Sequence, residues 1–294
     1  MSQGEFCSSL RSFGEEEIAL SFETFGVRTS VTFLFGPLIL LAAWLGGLFF
    51  FALVGILIVL AMHEFYALTG HKGTHPLRLA GIVAGILLLV QIYLGYVQDL
   101  WLLLAAAFVV FSTVELFRNT EGPMLNLAAT FLGVLYVALP FSFLILTREI
   151  TNGPDMSYAV GGDIVITLFL CIWICDSAAY ILGSRFGRHK LFPRVSPNKS
   201  VEGTVFGFLF AVLTAYVCQV TFLGELSLLH ALVVGGICGS FGQASDLIES
   251  LFKRDAGVKD ASNLIPGHGG VLDRFDSEIL VAPVVYFYLR FVVF

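Results

Sequence analysis

The ionisable groups of this chain gather in residues 245–276, SDLIESLFKRDAGVKDASNLIPGHGGVLDRFD. Asp246, Ser250 and Lys253 recur at i, i+4 and i+7, so a helix sets them on one face with Glu249 beside it. The turn Pro266-Gly267-His268-Gly269-Gly270 then offers closely spaced amides able to cradle an anion. Asp273 and Asp276 follow at i, i+3 as a last apolar segment begins. Acidic residues favour a helix N-terminus on their own account, but that does not explain Asp246 at the opposite end of the stretch. Carboxylates from two helices, flanking Lys253, Arg254, Lys259 and Arg274, suit a divalent cation facing a polyphosphate. Mg²⁺ is the natural ion, because it is held by one or two carboxylates plus substrate phosphates. Zinc does not fit: His268 has no Cys or His at ligand spacing.

A second cationic stretch precedes it. Arg185, Arg188, Lys190, Arg194 and Lys199 fall within fifteen positions. A role in fixing membrane topology accounts for the charge. It does not account for Ser196-Pro197 and Lys199-Ser200, which place hydroxyls, amides and an ammonium where a phosphate could sit at the start of the next helix. Upstream again, Asp176 interrupts the apolar run 164–182. A carboxylate at membrane depth costs a few kcal/mol and turns to a partner or a cavity. The alternatives are a functional group and a plain helix–helix hydrogen bond. The cysteines suggest no metal or disulfide framework; Cys171, Cys175, Cys218 and Cys238 lie in apolar runs and read as buried thiols.

The elements that position these groups follow from composition. The 294 residues are 57% hydrophobic and only 13% charged, with a mean hydropathy of +0.88. A soluble domain carries about a quarter charged residues. Continuous apolar runs long enough to span a bilayer recur, and their lack of alternation excludes a β-barrel. The fold expected is all-α, a polytopic membrane protein of about nine transmembrane helices. Residues 31–62 hold no charge and are too long for one crossing, which predicts two helices broken near Gly46-Gly47, the second ended by His63 and Glu64. Further spans are expected over 79–97, 100–114, 125–147, 164–182, 203–222, 228–244 and 279–294, with a strong turn signal at Asn152-Gly153-Pro154-Asp155.

Residues 1–27 form an acidic tail without the basic start and apolar core of a signal peptide. Residues 28–163 are expected to form an amino-terminal bundle of about five helices. Residues 164–294 would form a catalytic bundle of about four, with polar loops at 184–202 and 246–278. With the N-terminus inside, fourteen of the 16 Lys and Arg residues fall on the inner side, and only Arg148 and Arg290 fall outside. An N-in, C-out topology follows, with both cationic loops on the cytosolic face.

The run 250–276, S-L-F-K-R-x4-K-D-x-S-x2-I-P-G-H-G-G-V-x-D-R-F-D, resembles the signature of the phosphatidate cytidylyltransferase (CDP-diacylglycerol synthase) family. Asp176, Gly183, Phe186-Gly187, Ser196-Pro197, Lys199-Ser200, Glu202-Gly203 and Asp246 with Glu249-Ser250 agree in type and order, and Arg28 and Glu64 fit earlier landmarks. Asn198, where a second basic residue is common, and Ser245, where Gly is common, depart from the pattern. The resemblance implies a nine-helix membrane enzyme that joins CTP and phosphatidic acid into CDP-diacylglycerol and pyrophosphate. Asp246 and Asp273 would hold Mg²⁺, with Asp276 supporting or ligating; whether a monovalent cation joins it is left open. Lys253, Arg254, Lys259 and Arg274 would contact phosphates. Lys199 and Ser200 would close the site, with Ser250 among the substrate-binding groups and His268 in a positioning or hydrogen-bonding role.

The lipid would enter through a membrane-open cavity walled by the last four spans, with Asp176 at its inner end. Membrane lipids are expected neighbours, nucleic acid is not an expected partner, and self-association as a homodimer is left open. In a bacterium the enzyme would lie in the inner membrane with a cytosolic active site. The competing readings are a related lipid enzyme, either a polyprenol kinase or a cytidylyltransferase for isoprenoid ether lipids, and a transporter with Asp176 on an ion pathway.

Overall fold

A computed structural model describes residues 35–150, 157–262 and 269–294. The acidic tail, Arg28, the Asn152-Gly153-Pro154-Asp155 turn and His268 lie outside the described residues. Within them the chain is helical apart from one small hairpin: α1 (Phe35–Leu45), α2 (Gly47–Gly70), α3 (Arg78–Tyr93), α4 (Leu100–Leu116), α5 (Pro123–Arg148), α6 (Ala159–Phe186), α7 (Val201–Thr221), α8 (Leu228–Asp255) and α9 (Asp276–Tyr288). Six of the apolar segments are long enough to cross a membrane: Gly47–Gly70, Val97–Leu116, Pro123–Arg148, Ala159–Phe186, Val201–Thr221 and Leu228–Asp255. Phe35–Leu45 and Arg78–Tyr93 are shorter apolar helices.

The break between α1 and α2 falls where the uncharged run is too long for one crossing. Gly46 and Gly47 take φ of +66° and +50°, backbone that glycine adopts at little cost. The reversal is fastened by Arg148 at the end of α5, which is fully buried. Its guanidinium donates to the Ala43 carbonyl (2.6 Å), the Trp44 carbonyl (3.0 Å) and the Tyr158 carbonyl (3.1 Å), and stacks over the Tyr158 ring at 4.2 Å. Orphan carbonyls at the end of α1 thus find a fixed cation. Arg148 is thus a buried clamp between the ends of α1, α5 and α6.

Two helices run past their expected ends. α2 continues through His63 and Glu64 to Gly70; His63 is exposed, whereas Glu64 is buried and finds its partners inside. Tyr66 donates to the Thr130 carbonyl on α5 at 2.9 Å. α8 extends beyond residue 244 to Asp255, so Asp246, Ser250 and Lys253 ride on a rigid helix and not on a loop. In α5 a π-turn spans Val134–Ala138, directly before Pro140. Proline lacks a donor and crowds the preceding turn, so the widened ladder has a local cause.

The carboxyl-terminal helices approach through small residues. A Cβ at Gly203 would lie 2.8 Å from the Ala179 carbonyl, and one at Gly239 would lie 2.9 Å from the Phe208 Cα. α7 is therefore gripped by α6 on one side and α8 on the other, the close approach that small residues allow in membranes. The basic loop between α6 and α7 is an antiparallel hairpin, β1 (Lys190–Phe192) with β2 (Ser196–Ser200), a small departure from an all-α fold. Glu202 accepts the Arg188 and His189 amides at 3.0 and 3.2 Å, and Ser200 caps α7 through the Gly203 amide.

Replacing Arg148 by Met should orphan the α1 carbonyls, each at a cost of about 1–3 kcal/mol. Thermal unfolding in detergent should show a clearly lower midpoint than Arg185→Ala, whose charge is exposed. An unchanged midpoint would remove the clamp from the account.

Candidate active site

One cavity of about 1250 Å³ collects nearly all of the chemistry. Lys199, Ser200, Asp246, Lys253, Asp273, Arg274 and Asp276 line it, together with Asp176 on the α6 wall. These positions come from four places in the chain: mid-α6, the hairpin end, the carboxyl-terminal half of α8, and the segment leading into and starting α9.

Lys253 occupies the centre. Its side chain is about 10% exposed and its ammonium lies against Glu249 and Asp273, with 2.7 Å to Asp273 Oδ1. The i, i+4 spacing on α8 places Glu249 below it. Asp273 also accepts from the Gly270 amide at 2.8 Å and the Ala261 amide at 3.0 Å. Burial alone would raise the Asp273 carboxyl; Lys253 and the two amides more than offset this and hold it below its ordinary value of 3.8. Both Asp273 oxygens are therefore engaged within the protein.

Asp246 faces the hairpin. Lys199 Nζ donates to its Oδ2 at 2.5 Å, and Ser250 Oγ lies 3.3 Å from its Oδ1. That pair spans 47 residues and fixes the hairpin over α8. Asp276 begins α9, and Ser245 Oγ donates to its backbone carbonyl at 2.5 Å. The serine that departs from the family pattern thus fastens α8 to α9.

Pro266, Gly267 and His268 of the Gly-rich turn lie outside the described residues. Just past the turn, the amides of Val271 and Leu272 donate to the carboxylate of Glu64, at 2.9 and 2.7 Å, and the Ser262 hydroxyl donates to it at 2.6 Å. The anion held there is a side chain of α2. Glu64 lies in a mostly apolar helix, and the cost of burying a carboxylate, already used to single out Asp176, was signal enough to find it.

Arg254 and Lys259 do not line the cavity. Arg254 donates to the Val195 and Val258 carbonyls, tying the hairpin to the end of α8, and Lys259 is exposed. Arg188, Lys190 and Asn198 do line it, bringing further polar groups from the hairpin. The apolar wall also differs from expectation. It comes from α1 and α2, through Phe35, Ile39, Leu53, Ile56, Leu57 and Leu60, with Trp173 and Tyr180 from α6. The reversal at Gly46 folds α1 back against α6, where a methyl at Gly36 would touch the Trp173 ring at 3.7 Å. The last four spans alone do not supply that wall.

The donor set at the polar end is oxygen only, which suits a hard cation. Among the described residues no three His, Cys, Asp or Glu side chains are close enough to hold a metal by themselves. Two carboxylates on the cavity wall, Asp246 and Asp276, fit an ion whose remaining ligands are phosphates and water.

A helical membrane protein with carboxylates and fixed cations in one cavity belongs to the class that handles phosphorylated substrates at a bilayer. The sequence pattern of the cytidylyltransferase family matches residues 26–292, and the chain belongs to that family. Similar proteins include the phosphatidate cytidylyltransferase of Staphylococcus saprophyticus, 36% identical over 71% of this chain and 78% of the relative. Those of Staphylococcus epidermidis and Staphylococcus aureus are 34% and 35% identical, each over 82% of this chain and 89% of the relative. The chain is an enzyme, a CTP-dependent nucleotidyltransferase.

The depressed Asp273 carboxyl links stability to pH. Its contribution is complete above about 3.8, the ordinary value, and is lost as pH falls through the lower folded value. Thermal midpoints in detergent should drop below pH 4 more steeply in the parent than in Asp273→Asn. Parallel curves would show that the carboxylate is not so held.

Proposed function

We propose that this enzyme transfers the cytidylyl group of CTP to phosphatidic acid, releasing pyrophosphate and leaving CDP-diacylglycerol in the membrane. The observation that carries this reading is the two-ended cavity, whose carboxylates and cations meet an apolar wall built from α1, α2 and α6. The matched relatives carry the name phosphatidate cytidylyltransferase. A phosphate oxygen of the lipid attacks the α-phosphorus of CTP, the new P–O bond forms, and the α–β anhydride breaks. A phosphate monoester is already nucleophilic near neutral pH, so no dedicated general base is needed.

The barrier lies in bringing polyanions together and in the charge of the leaving pyrophosphate. Lys199 and Arg274 stand on the cavity wall where phosphates would be received, with Arg188 and Lys190 at the hairpin side. Ser200 and Asn198 offer neutral donors beside them. Lys253 keeps Asp273 and Glu249 in place as much as it contacts substrate. Mg²⁺, when bound, supplies charge neutralisation and orientation of the phosphates. Asp246 and Asp276 would hold it, and Asp273 would join only on release from Lys253 and its two amides. Asp176 faces the same cavity from the membrane side. His268, within the turn, keeps its positioning role as part of this reading.

The nine-span, N-in, C-out arrangement belongs to the same proposal. It puts loops 184–202 and 246–278 of the carboxyl-terminal transmembrane bundle at the cytosolic face, where CTP is found, beside the amino-terminal transmembrane bundle of residues 28–163. The cavity would open laterally beside α1 and α2, so that the acyl chains stay in the bilayer.

Asp246→Asn should reduce Mg²⁺-dependent CTP:phosphatidate turnover by about a hundred-fold, and an Asp273→Asn variant that kept most activity would exclude Asp273 from the metal. A panel of lipid acceptors with product analysis by mass spectrometry separates phosphatidate from polyprenol or isoprenoid ether lipids. Leu60→Trp should depress turnover of long-chain phosphatidate while sparing a short-chain, water-soluble one. Equal loss on both lipids would take the acyl chains off the α2 wall.

A further inference from the structure

Glu64, on α2 in the amino-terminal half of the chain, is not among the residues that line the cavity. It is 1% exposed. Three donors converge on it, all from the segment before α9: Ser262 Oγ at 2.6 Å, the Val271 amide at 2.9 Å and the Leu272 amide at 2.7 Å. Gly270 approaches so closely that a Cβ there would lie 2.5 Å from Glu64 Oε2. The next residue along, Asp273, uses the Gly270 amide, the Ala261 amide and Lys253. Two carboxylates therefore share one short peptide run, Glu64 from outside and Asp273 from within.

We infer that Glu64 is a positioning residue for the catalytic carboxylates: by binding the amides of Val271 and Leu272 it sets the backbone that aims Asp273, Arg274 and Asp276 into the cavity. This rests on the reading of the cavity as the cytidylyl-transfer site. The chemistry asks for an acceptor-only group. A carboxylate accepts on both oxygens, and all three partners are donors. Glutamine cannot replace it, since either orientation of the amide turns its NH₂ toward an N–H or O–H donor. A buried donor facing a donor is left unsatisfied. Because α2 also supplies Leu53, Ile56, Leu57 and Leu60 to the apolar wall, the same helix registers the lipid end of the cavity against its phosphate end.

Supporting residues of this kind are worth about ten- to a hundred-fold in activity. The test compares full-length Glu64→Gln, Glu64→Asp and Gly270→Ala with the parent in detergent. It reads kcat and KM for CTP together with amide hydrogen exchange by mass spectrometry. Glu64→Gln should lower kcat about ten-fold or more with KM for CTP changed far less, and peptides covering 269–275 should lose about ten-fold in protection while α7 keeps its own. Glu64→Asp, still acceptor-only, should recover part of kcat. Gly270→Ala disturbs the same contact from the other side, so its combination with Glu64→Gln should cost no more than the worse single change. It also gives the measurement a second route should Glu64→Gln fail to fold.

Unchanged protection of 269–275 in both variants would overturn the proposal. Lost protection with intact kcat would overturn it too, while leaving the enzyme itself established by its turnover. Absence of CTP turnover in the parent, with protection behaving as expected, would instead reject the assigned reaction and with it the catalytic meaning of the contact.

Discussion

The ammonium of Lys253, lying nearly out of solvent between Glu249 and Asp273, is the contact on which the polar end of the molecule depends. Charges removed from water must be compensated where they stand, and losing one partner of such a group costs about 3–5 kcal/mol. Three carboxylates around it obey the same rule by other means. Asp246 has Lys199, Asp273 has two backbone amides besides the lysine, and Glu64 has two amides and a hydroxyl. The contacts of Asp246 and Glu64 join elements far apart in sequence. The hairpin, α2, α8 and the start of α9 are in this sense held in register by electrostatics as much as by apolar packing.

Apolar contact does the rest, and glycine decides where it is closest. The grip of α6 and α8 on α7 through Gly203, Gly207, Gly235 and Gly239 brings backbones together without large side chains between them. The aromatic trio Phe65, Tyr136 and Phe252, with centroids 5.1–6.4 Å apart, closes the space behind Lys253 and joins α2, α5 and α8. Tyr136 sits in the π-turn of α5, so the irregularity ahead of Pro140 is also what presents that ring.

Much of this was legible in the sequence because hydrophobic length and charge obey strict rules in a bilayer. The break at Gly46, the helix carrying Asp246, Ser250 and Lys253, and the cavity position of Asp176 follow from those rules. The destination of each charge was less legible, since a backbone amide leaves no mark in the sequence. The amides of Val271 and Leu272 give no sign in the sequence that they meet Glu64, and only the fold of α2 brings them together. Arg148 reads as an outer-loop cation until α1 brings its carbonyls to it. Arg254 carries the same charge as Arg274, but its geometry spends its donors on carbonyls of the hairpin and its own helix end. The lipid wall was sought in the last four spans, because periodicity alone does not reveal which apolar helix will fold back onto which.

The contact between Glu64 and the amides of Val271 and Leu272 also has a history in time. Its partners are 207 and 208 residues apart. At about 5–20 residues per second of synthesis, α2 must emerge and wait roughly 10–40 s before the segment that neutralises its buried carboxylate exists at all. During that interval the glutamate lacks all three donors that hold it in the folded protein. The amino-terminal bundle is therefore born incomplete, and closing the catalytic centre is among the last events in the biogenesis of the protein.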